Sequence, residues 1–575
     1  MTDSTTQIEK LISQGRYSEA RSLAEAVMST SGELRPRQLY ALAVSKSGAP
    51  KVAMEFLEPE YRQHSDDPET AGILGGIYKE LFRKDQDTKY ALLSRDTYLK
   101  NFSITRNYYT GINAATMSAI AGQAGHGRKI ASEVIALLGN APTDFWEQVT
   151  LAEAYLLIKD REKAIAAYFE AKKVAGTDWG KVSTVHNQLW MLNHYVPVPK
   201  EVLKVFSPPG VVSFIGHMID HPSRSQPRFP ASIEQRVKDA ITSAINTINA
   251  KIGFCSLACG SDILFAEAMA EAGGEVNIWL PFAKEDFLEA SVRFAGDTWV
   301  RRFEDLSKRF PVTFITLDPY AGYDDLFTFQ NRVIFGSSVI RSSMNHTLPT
   351  LLTVLSEMDL RQKEGGTRDT ISLWPYPDRH ININPDNFLP RSVALQSPQE
   401  KKPEPLKRTI DRPVLYSLCA DLPGTRPEAQ LKIWEEVQRK MDLPVLAPVT
   451  FEVSDVLVGS FRSILGVMDL SQIILKTIKS LHMTDKLRMS LYGVPILLEP
   501  GLGEKQKKFS AVPSRQIREL HAMIPVGALY AFARFSSALS LDINHYAVGY
   551  AGVISSPHYP QPLEIYKIIV NGPAQ

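Results

Sequence analysis

Cysteine is scarce: three residues in a chain of 575. No disulfide framework can hold such a protein together, so its domains must be stabilised by ordinary cores. Cys255 and Cys259 are four positions apart, but no second Cys or His pair lies nearby to complete a zinc site. They read as small core residues. An excess of either charge is also missing, with 64 Lys and Arg against 63 Asp and Glu. Such a balance creates no global field to gather nucleic acid or an anionic membrane. No apolar run reaches the length of a membrane span. The opening Met1-Thr2-Asp3-Ser4 lacks the apolar stretch of a secretory leader. These absences lead us to expect a cytoplasmic protein with no membrane or nucleic-acid partner, long enough for three or four domains.

What is present is organised around Gly210 to Phe282. Val211-Val212-Ser213-Phe214-Ile215 is an apolar run ending in Gly216-His217-Met218, and a helical pattern follows from Ile233 to Ile248. Gly253 to Gly260 is a second strand and turn, Ser261-Asp262 opens a second helix, and Glu275 to Phe282 is a third strand. That alternation implies a parallel sheet with right-handed crossovers, whose ligands bind at the carboxyl ends of the strands. Gly216 and Gly260 stand where strand becomes loop, and glycine lets main-chain N–H groups approach an anion. Ser261 or Asp262 can cap the helix, whose N-terminus favours negative charge. Ordinary turn and cap residues would read the same way. The ligand candidates here are Gly216, His217, Gly260, Ser261 and Asp262.

Phe214-Ile215-Gly216-His217-Met218 together with Ala258-Cys259-Gly260-Ser261-Asp262-Ile263-Leu264-Phe265-Ala266-Glu267 resembles the SLOG superfamily of Rossmann-like domains, over residues 208–380. The resemblance implies a nucleotide or nucleotide-derived ligand. It adds Thr367 and Asp369, from Gly365-Gly366-Thr367-Arg368-Asp369-Thr370, as site candidates. The Pro-Gly-Gly-x-Gly-Thr signature of the hydrolytic members is missing, which favours binding over cleavage. If cleavage occurs, Asp262, His217 and Glu267 are the nearby acid–base candidates.

Residues 1–200 read as helical. Ala152, Tyr155, Ala164, Tyr168 and Ala171 follow the small/large alternation of a tetratricopeptide pair. Weaker copies run through Ala20 and Ala24, Ala41 and Val44, Ala53 and Leu57, and Leu74-Gly75 with Tyr78. Gly72 to Lys79 and Tyr108-Tyr109-Thr110-Gly111-Ile112-Asn113-Ala114-Ala115-Thr116 resemble the TPR-type sensor region of apoptosis signal-regulating kinases and bacterial conflict proteins. That resemblance puts Tyr108, Tyr109 and Asn113 on a concave, partner-facing surface. Asn113 can equally be a helix cap or a buried hydrogen-bonding residue.

Residues 381–410 are a linker rich in Pro, Lys and Glu. Residues 411–575 begin with Val414 to Asp421, an apolar strand ending in a carboxylate, followed by an amphipathic helix from Pro427 to Met441. A helix is expected over Thr484 to Tyr492, and a strand pair over Arg518 to Tyr530. This order resembles a class III nucleotide cyclase homology domain. The resemblance implies two metal-binding aspartates, Asp421 on the first strand and Asp469 as the nearest match to the second, and a homodimer through this domain. Asp469 is flanked by Met468 and Leu470 instead of the family's glycines. The Asn and Arg that donate to the transition state would be Gly549 and Val553 in Val548-Gly549-Tyr550-Ala551-Gly552-Val553-Ile554. Losing one such donor typically costs about a hundred- to a thousandfold in rate.

The fold class expected is therefore multidomain: an all-α TPR-like array, an α/β Rossmann-like parallel sheet, and an α+β ferredoxin-like, cyclase-type domain. The function expected is a signalling protein of bacterial stress or antiviral defence. Its Rossmann-like domain would bind a nucleotide or cyclic nucleotide, its array a protein partner, and its tail at most a vestigial Mg ion. The alternative is an enzyme, either an active adenylate or guanylate cyclase or a nucleotide-cleaving hydrolase.

Overall fold

The architecture is that of a computed structural model. It describes residues 2–571 apart from 14–16, 47–48, 140–141, 177–178, 222–223, 225–226, 318, 321–324, 345–346, 358–369, 390–413, 442–447, 496, 499–508, 511–513 and 557–561. The chain forms two compact units, Met1–Pro208 with Tyr550–Ser555, and Pro209–Gly549 with Ser556–Gln575.

The first unit is an array of helix pairs: α1 Thr2–Ser13, α2 Tyr17–Met28, α3 Leu34–Lys46, α4 Pro50–Gln63, α5 Pro68–Asp85, α6 Thr88–Thr105, α7 Tyr108–Ile120, α8 Ala124–Leu138, α9 Phe145–Leu157, α10 Arg161–Ala175, α11 Trp179–Asn193 and α12 Lys200–Val205. Short polar side chains set the starts. Asp67, Asp87, Asn107, Asp144 and Asp160 each accept a hydrogen bond from a first-turn amide of the helix that follows. Small residues set the spacing. Ala20, Ala24, Ala41, Ala53, Ala152, Ala164 and Ala171 are wholly buried between helices. A Cβ on Gly75 would fall 2.6 Å from the Tyr98 ring, so α5 and α6 meet only because that position has no side chain.

The second unit holds two sheets. In the first, β1 Gly210–Gly216, β2 Ala250–Cys255, β3 Glu275–Leu280, β4 Val312–Phe314, β5 Thr350–Val354 and β6 His380–Ile383 are ordered β4-β3-β2-β1-β5-β6. Every pairing is parallel. Five consecutive β1 residues, Val211 to Ile215, are buried, as expected for a parallel strand covered on both faces. The helices are α13 Glu234–Ile248, α14 Ser261–Glu271, α15 Lys284–Ser291, α16 Asp297–Arg309 and α17 Asp325–Met344. The strand order reverses between β1 and β5, which makes the crevice above those two strands the topological switch point.

The second sheet contains β7 Val414–Asp421, β8 Thr450–Val453, β9 Leu457–Phe461, β10 Arg488–Pro495, β13 Ala528–Phe532, β14 Tyr546–Ile554 and β15 Leu563–Val570, in the order β14-β15-β13-β10-β7-β9-β8. A separate two-stranded ribbon joins β11 Leu497–Leu498 to β12 Phe509–Ser510. The associated helices are α18 Pro427–Lys440, α19 Ile464–Ser480, α20 Ser514–Ala522 and α21 Ala533–Leu539. Two expectations fail here. Thr484 to Tyr492 is a short 3-10 turn leading into β10, and Arg518 to Ala522 belongs to helix α20. The α+β class is nevertheless as expected.

The two sheets share one hydrophobic core running from Val211 to Ile568. Their junction is α17 against α21. Ser540 Oγ donates to Gly336 O at 3.1 Å, and the Ser337 and Ser537 hydroxyls are 3.1 Å apart. Arg534 donates to Phe314 O at 3.0 Å. An aromatic chain, Phe329–Tyr416–Phe535, continues the contact.

Candidate functional site

In the array, Asn107 caps α7, which projects Tyr109 outward at 49% exposure with its ring edge on Tyr98. Tyr108 is half-buried on the same turn. Asn113 is buried. Its Nδ2 donates to Tyr109 O at 2.9 Å, and its Oδ1 accepts from Lys79 Nζ at 3.2 Å. The side chain is thus spent within the array. Lys79 also donates to Gln188 Oε1 at 2.7 Å, Gln188 Nε2 donates to Glu153 Oε1 at 2.7 Å, and Thr116 donates to the same oxygen. Sequence reasoning quoted Lys79 without a role and passed over Glu153 and Gln188, because polar residues on separate helices share no spacing signal.

In the first sheet of the second unit, the two glycine turns converge. Met218 and Gly260 form an isolated antiparallel bridge. Ile219 N donates to Cys259 O and Ser261 N to His217 O, each at 3.0 Å. Ser261 Oγ donates to His217 O at 2.8 Å. A Cβ on Gly216 would lie 2.3 Å from Ser261 Oγ, and one on Gly260, at φ 109°, 2.4 Å from Ile219 N. The glycines therefore let the two loops lock together, and several of the amides expected to face an anion are satisfied by the neighbouring loop. His217 reaches the switch point itself: Ser356 N donates to its Nε2 at 3.2 Å. Asp262 is buried and accepts from Ala258 N at 3.3 Å. Burial pushes its carboxyl up to about 7. Glu267 lies away from any reaction role, gripped by Arg302 at 2.6 and 2.8 Å. Thr367 and Asp369 lie outside the described residues.

In the second sheet, Asp421 ends β7. His521 Nε2 is 3.2 Å from its Oδ1 and Arg488 3.5 Å from its Oδ2. His521 Nδ1 lies 2.6 Å from Ser490 Oγ. Asp469 is not in a hairpin: it lies exposed on α19 between the buried Met468 and Leu470. The turn between β8 and β9 carries Asp455 instead, and Gln430 ties it to the end of β7 by accepting from Leu422 N and donating to Asp455 O. The alternating Phe451-Glu452-Val453 before Ser454-Asp455 is the hairpin signal that could have found it. Arg518, one turn before His521 on α20, reaches Asp455 at 3.5 Å and Glu452 at 3.6 Å. Among the described residues no three His, Cys, Asp or Glu side chains converge as a metal site. Val548 to Ile554 lies on strand β14, while the helix after β13 is α21, packed on α17.

Among the described residues no helix is long and apolar enough to cross a membrane. The Tetratricopeptide Repeats-Sensor family model matches residues 16–118, so the chain carries a TPR-type sensor region. No curated protein matches the sequence. Among solved structures, the chain is similar to TTC0263, a thermophilic TPR protein of Thermus thermophilus, at 17% identity and TM-score 0.28, over 33% of this chain and 98% of that one. It is also similar to the adenylyl cyclase CyaB of P. aeruginosa, at 12% identity and TM-score 0.23, over 28% and 95%. The guanylyl cyclase Cya2 follows at 15% identity and TM-score 0.22, over 28% and 95%.

Proposed function

We propose that this chain is a non-catalytic signalling protein. Its helical array is the sensing region, its parallel sheet receives a nucleotide-type ligand at the β1/β5 crevice, and its cyclase-like sheet is a docking body for the parallel sheet. The sensor resemblance supports a role in bacterial stress or antiviral defence, and the scarcity of cysteine supports a location in the cytoplasm.

One observation carries the reading. The carboxylates at the end of β7 and in the β8–β9 turn face the chain's own cations, Arg488 and Arg518, with His521 between them. Cyclisation of a nucleoside triphosphate needs carboxylates free to hold metal ions. Guanidinium groups in that place oppose a divalent ion by charge. A homodimer through this sheet must use surfaces other than the face of α21 that is spent on α17.

At the crevice, the His217 ring and the first turn of α14, which carries Asp262, are the groups nearest the switch point. That buried carboxyl, poised near neutrality, also supports the second reading, a hydrolase acting on an N-glycosidic bond. Pure protein incubated with ATP, GTP or NAD and Mg²⁺ or Mn²⁺, with binding followed by calorimetry and products by chromatography, separates the readings. Binding that is lost in His217→Ala, without product, is expected. Product lost in Asp421→Ala would establish a cyclase, and product lost in Asp262→Asn a hydrolase.

A further inference from the structure

Helices α5, α7, α9 and α11 are the first members of successive pairs, and they bring one polar cluster together. Lys79 comes from α5, Asn113 and Thr116 from α7, Glu153 from α9 and Gln188 from α11. Residues 109 positions apart touch here, so the cluster is a product of the whole array.

Its wiring is unusual for a structural ion pair. The ammonium and the carboxylate do not meet. Lys79 Nζ donates to two neutral oxygens, Asn113 Oδ1 and Gln188 Oε1. Glu153, only 4% exposed, receives Thr116 and Gln188 on the same oxygen, Oε1. Among the described residues no donor reaches its Oε2. Burial pushes Glu153 up and Lys79 down, the cost of holding both charges away from water. Closing the pair directly would relieve that cost. Instead one planar carboxamide, that of Gln188, stands between them with its C=O toward Lys79 and its N–H toward Glu153. One turn before Asn113, on the same side of α7, Tyr109 offers an exposed aromatic ring.

We propose that Lys79 and Glu153 form a recognition site for a small planar ligand bearing a carboxamide or lactam edge, with Gln188 as the internal group that such a ligand displaces. Lys79 takes the ligand's C=O, Glu153 takes its N–H, Asn113 and Thr116 hold the two charged groups in place, and Tyr109 covers a ring face. Nicotinamide, guanine and uracil all carry that edge. The site rests on reading the array as the sensing region and names what it senses.

Calorimetry on the full chain with nicotinamide, guanosine and uridine tests it and distinguishes the sources. At least one probe binds, and its N-methylated analogue, which lacks the N–H, binds about tenfold or more weaker. Glu153→Gln and Lys79→Met lose binding to the same extent. Gln188→Ala, checked for folding by circular dichroism, binds several-fold tighter because the internal competitor is gone. No heat from any probe at about 1 mM with either wild type or Gln188→Ala overturns the proposal, as does binding indifferent to Glu153→Gln. If binding follows the Glu153 and Lys79 variants but hydrogen exchange outside α5, α7, α9 and α11 does not change, the site stands and the sensing role of the array falls.

Discussion

A Cβ built on Gly336 of α17 would fall 1.8 Å from the carbonyl oxygen of Ser537 on α21, so the two helices touch backbone to backbone. Gly336→Ala cannot be accommodated by a rotamer change, because the obstacle is main chain. We expect a loss of about 2–4 kcal/mol in chemical denaturation. The two sheets share one core, so both should unfold in a single transition. A neutral Gly336→Ala would mean that the helices are not in contact in solution.

Gly260 is held at φ 109° with Ile219 N 2.4 Å from where a Cβ would be. Gly260→Ala meets both a backbone conformation that side chains avoid and a steric block. The expected cost is again about 2–4 kcal/mol, read by thermal melting. Ligand binding at the crevice should suffer with it, whereas Met218→Ala, at an exposed neighbour, should leave stability within about 0.5 kcal/mol.

Asp262 gives the second unit a pH dependence of defined sign. Its folded carboxyl titrates near 7, above the unfolded value of about 3.9. Between those values the folded state holds a proton that the unfolded state has released. Stability is therefore greatest below pH ~4 on this account and falls as pH rises to about 7, by on the order of 4 kcal/mol. Asp262→Asn should flatten the slope between pH 5 and 7.5 and be the more stable protein at pH 8. Urea titrations across that range check it, and an unchanged slope would remove the buried carboxyl from the account.

Arg518 holds Glu452 and Asp455 at the surface, and both acids are largely exposed. Arg518→Ala should cost less than about 1 kcal/mol of stability. It should raise Mn²⁺ affinity several-fold, measured by the loss of the free-ion resonance. The pair Arg518→Ala and Arg488→Ala should bind tighter still. Equal affinity in all three proteins would mean that the guanidinium groups do not exclude the ion.

Strands β1 and β2 were legible because they are apolar runs closed by glycine turns, and the helices after them have their own period. Strand β6, His380–Ile383, and the 3-10 turn Pro385–Phe388 instead fall mostly in the stretch expected to be a linker, where alternating polar residues hide an edge strand. The array was legible from buried alanines such as Ala152 and Ala164. What failed were short segments. Met489, Ser490 and Leu491 are all buried in β10, so that strand shows no alternation and reads equally well as a helix. Ile517, Leu520 and His521 are buried at helical spacing, yet the stretch is too brief for the period to declare itself. The stretch from Glu285 to Phe303 is amphipathic throughout and reads as one helix, but α15 ends at Ser291 and α16 starts afresh after Gly296, whose φ is 99°. At the sites, sequence marked both glycine turns and His217. It could not show that the turns bond to each other, because which amides pair across loops is decided only by the assembled sheet.

The contact between α17 and α21 also orders events during synthesis. All six strands of the parallel sheet have been made by Ile383, but the helix that covers Gly336 ends at Leu539. At a ribosomal rate of ~5–20 residues per second, the interval is roughly 8–30 s. Throughout it the face of α17 around Gly336 lacks its partner helix, an exposed surface of the kind that chaperones bind.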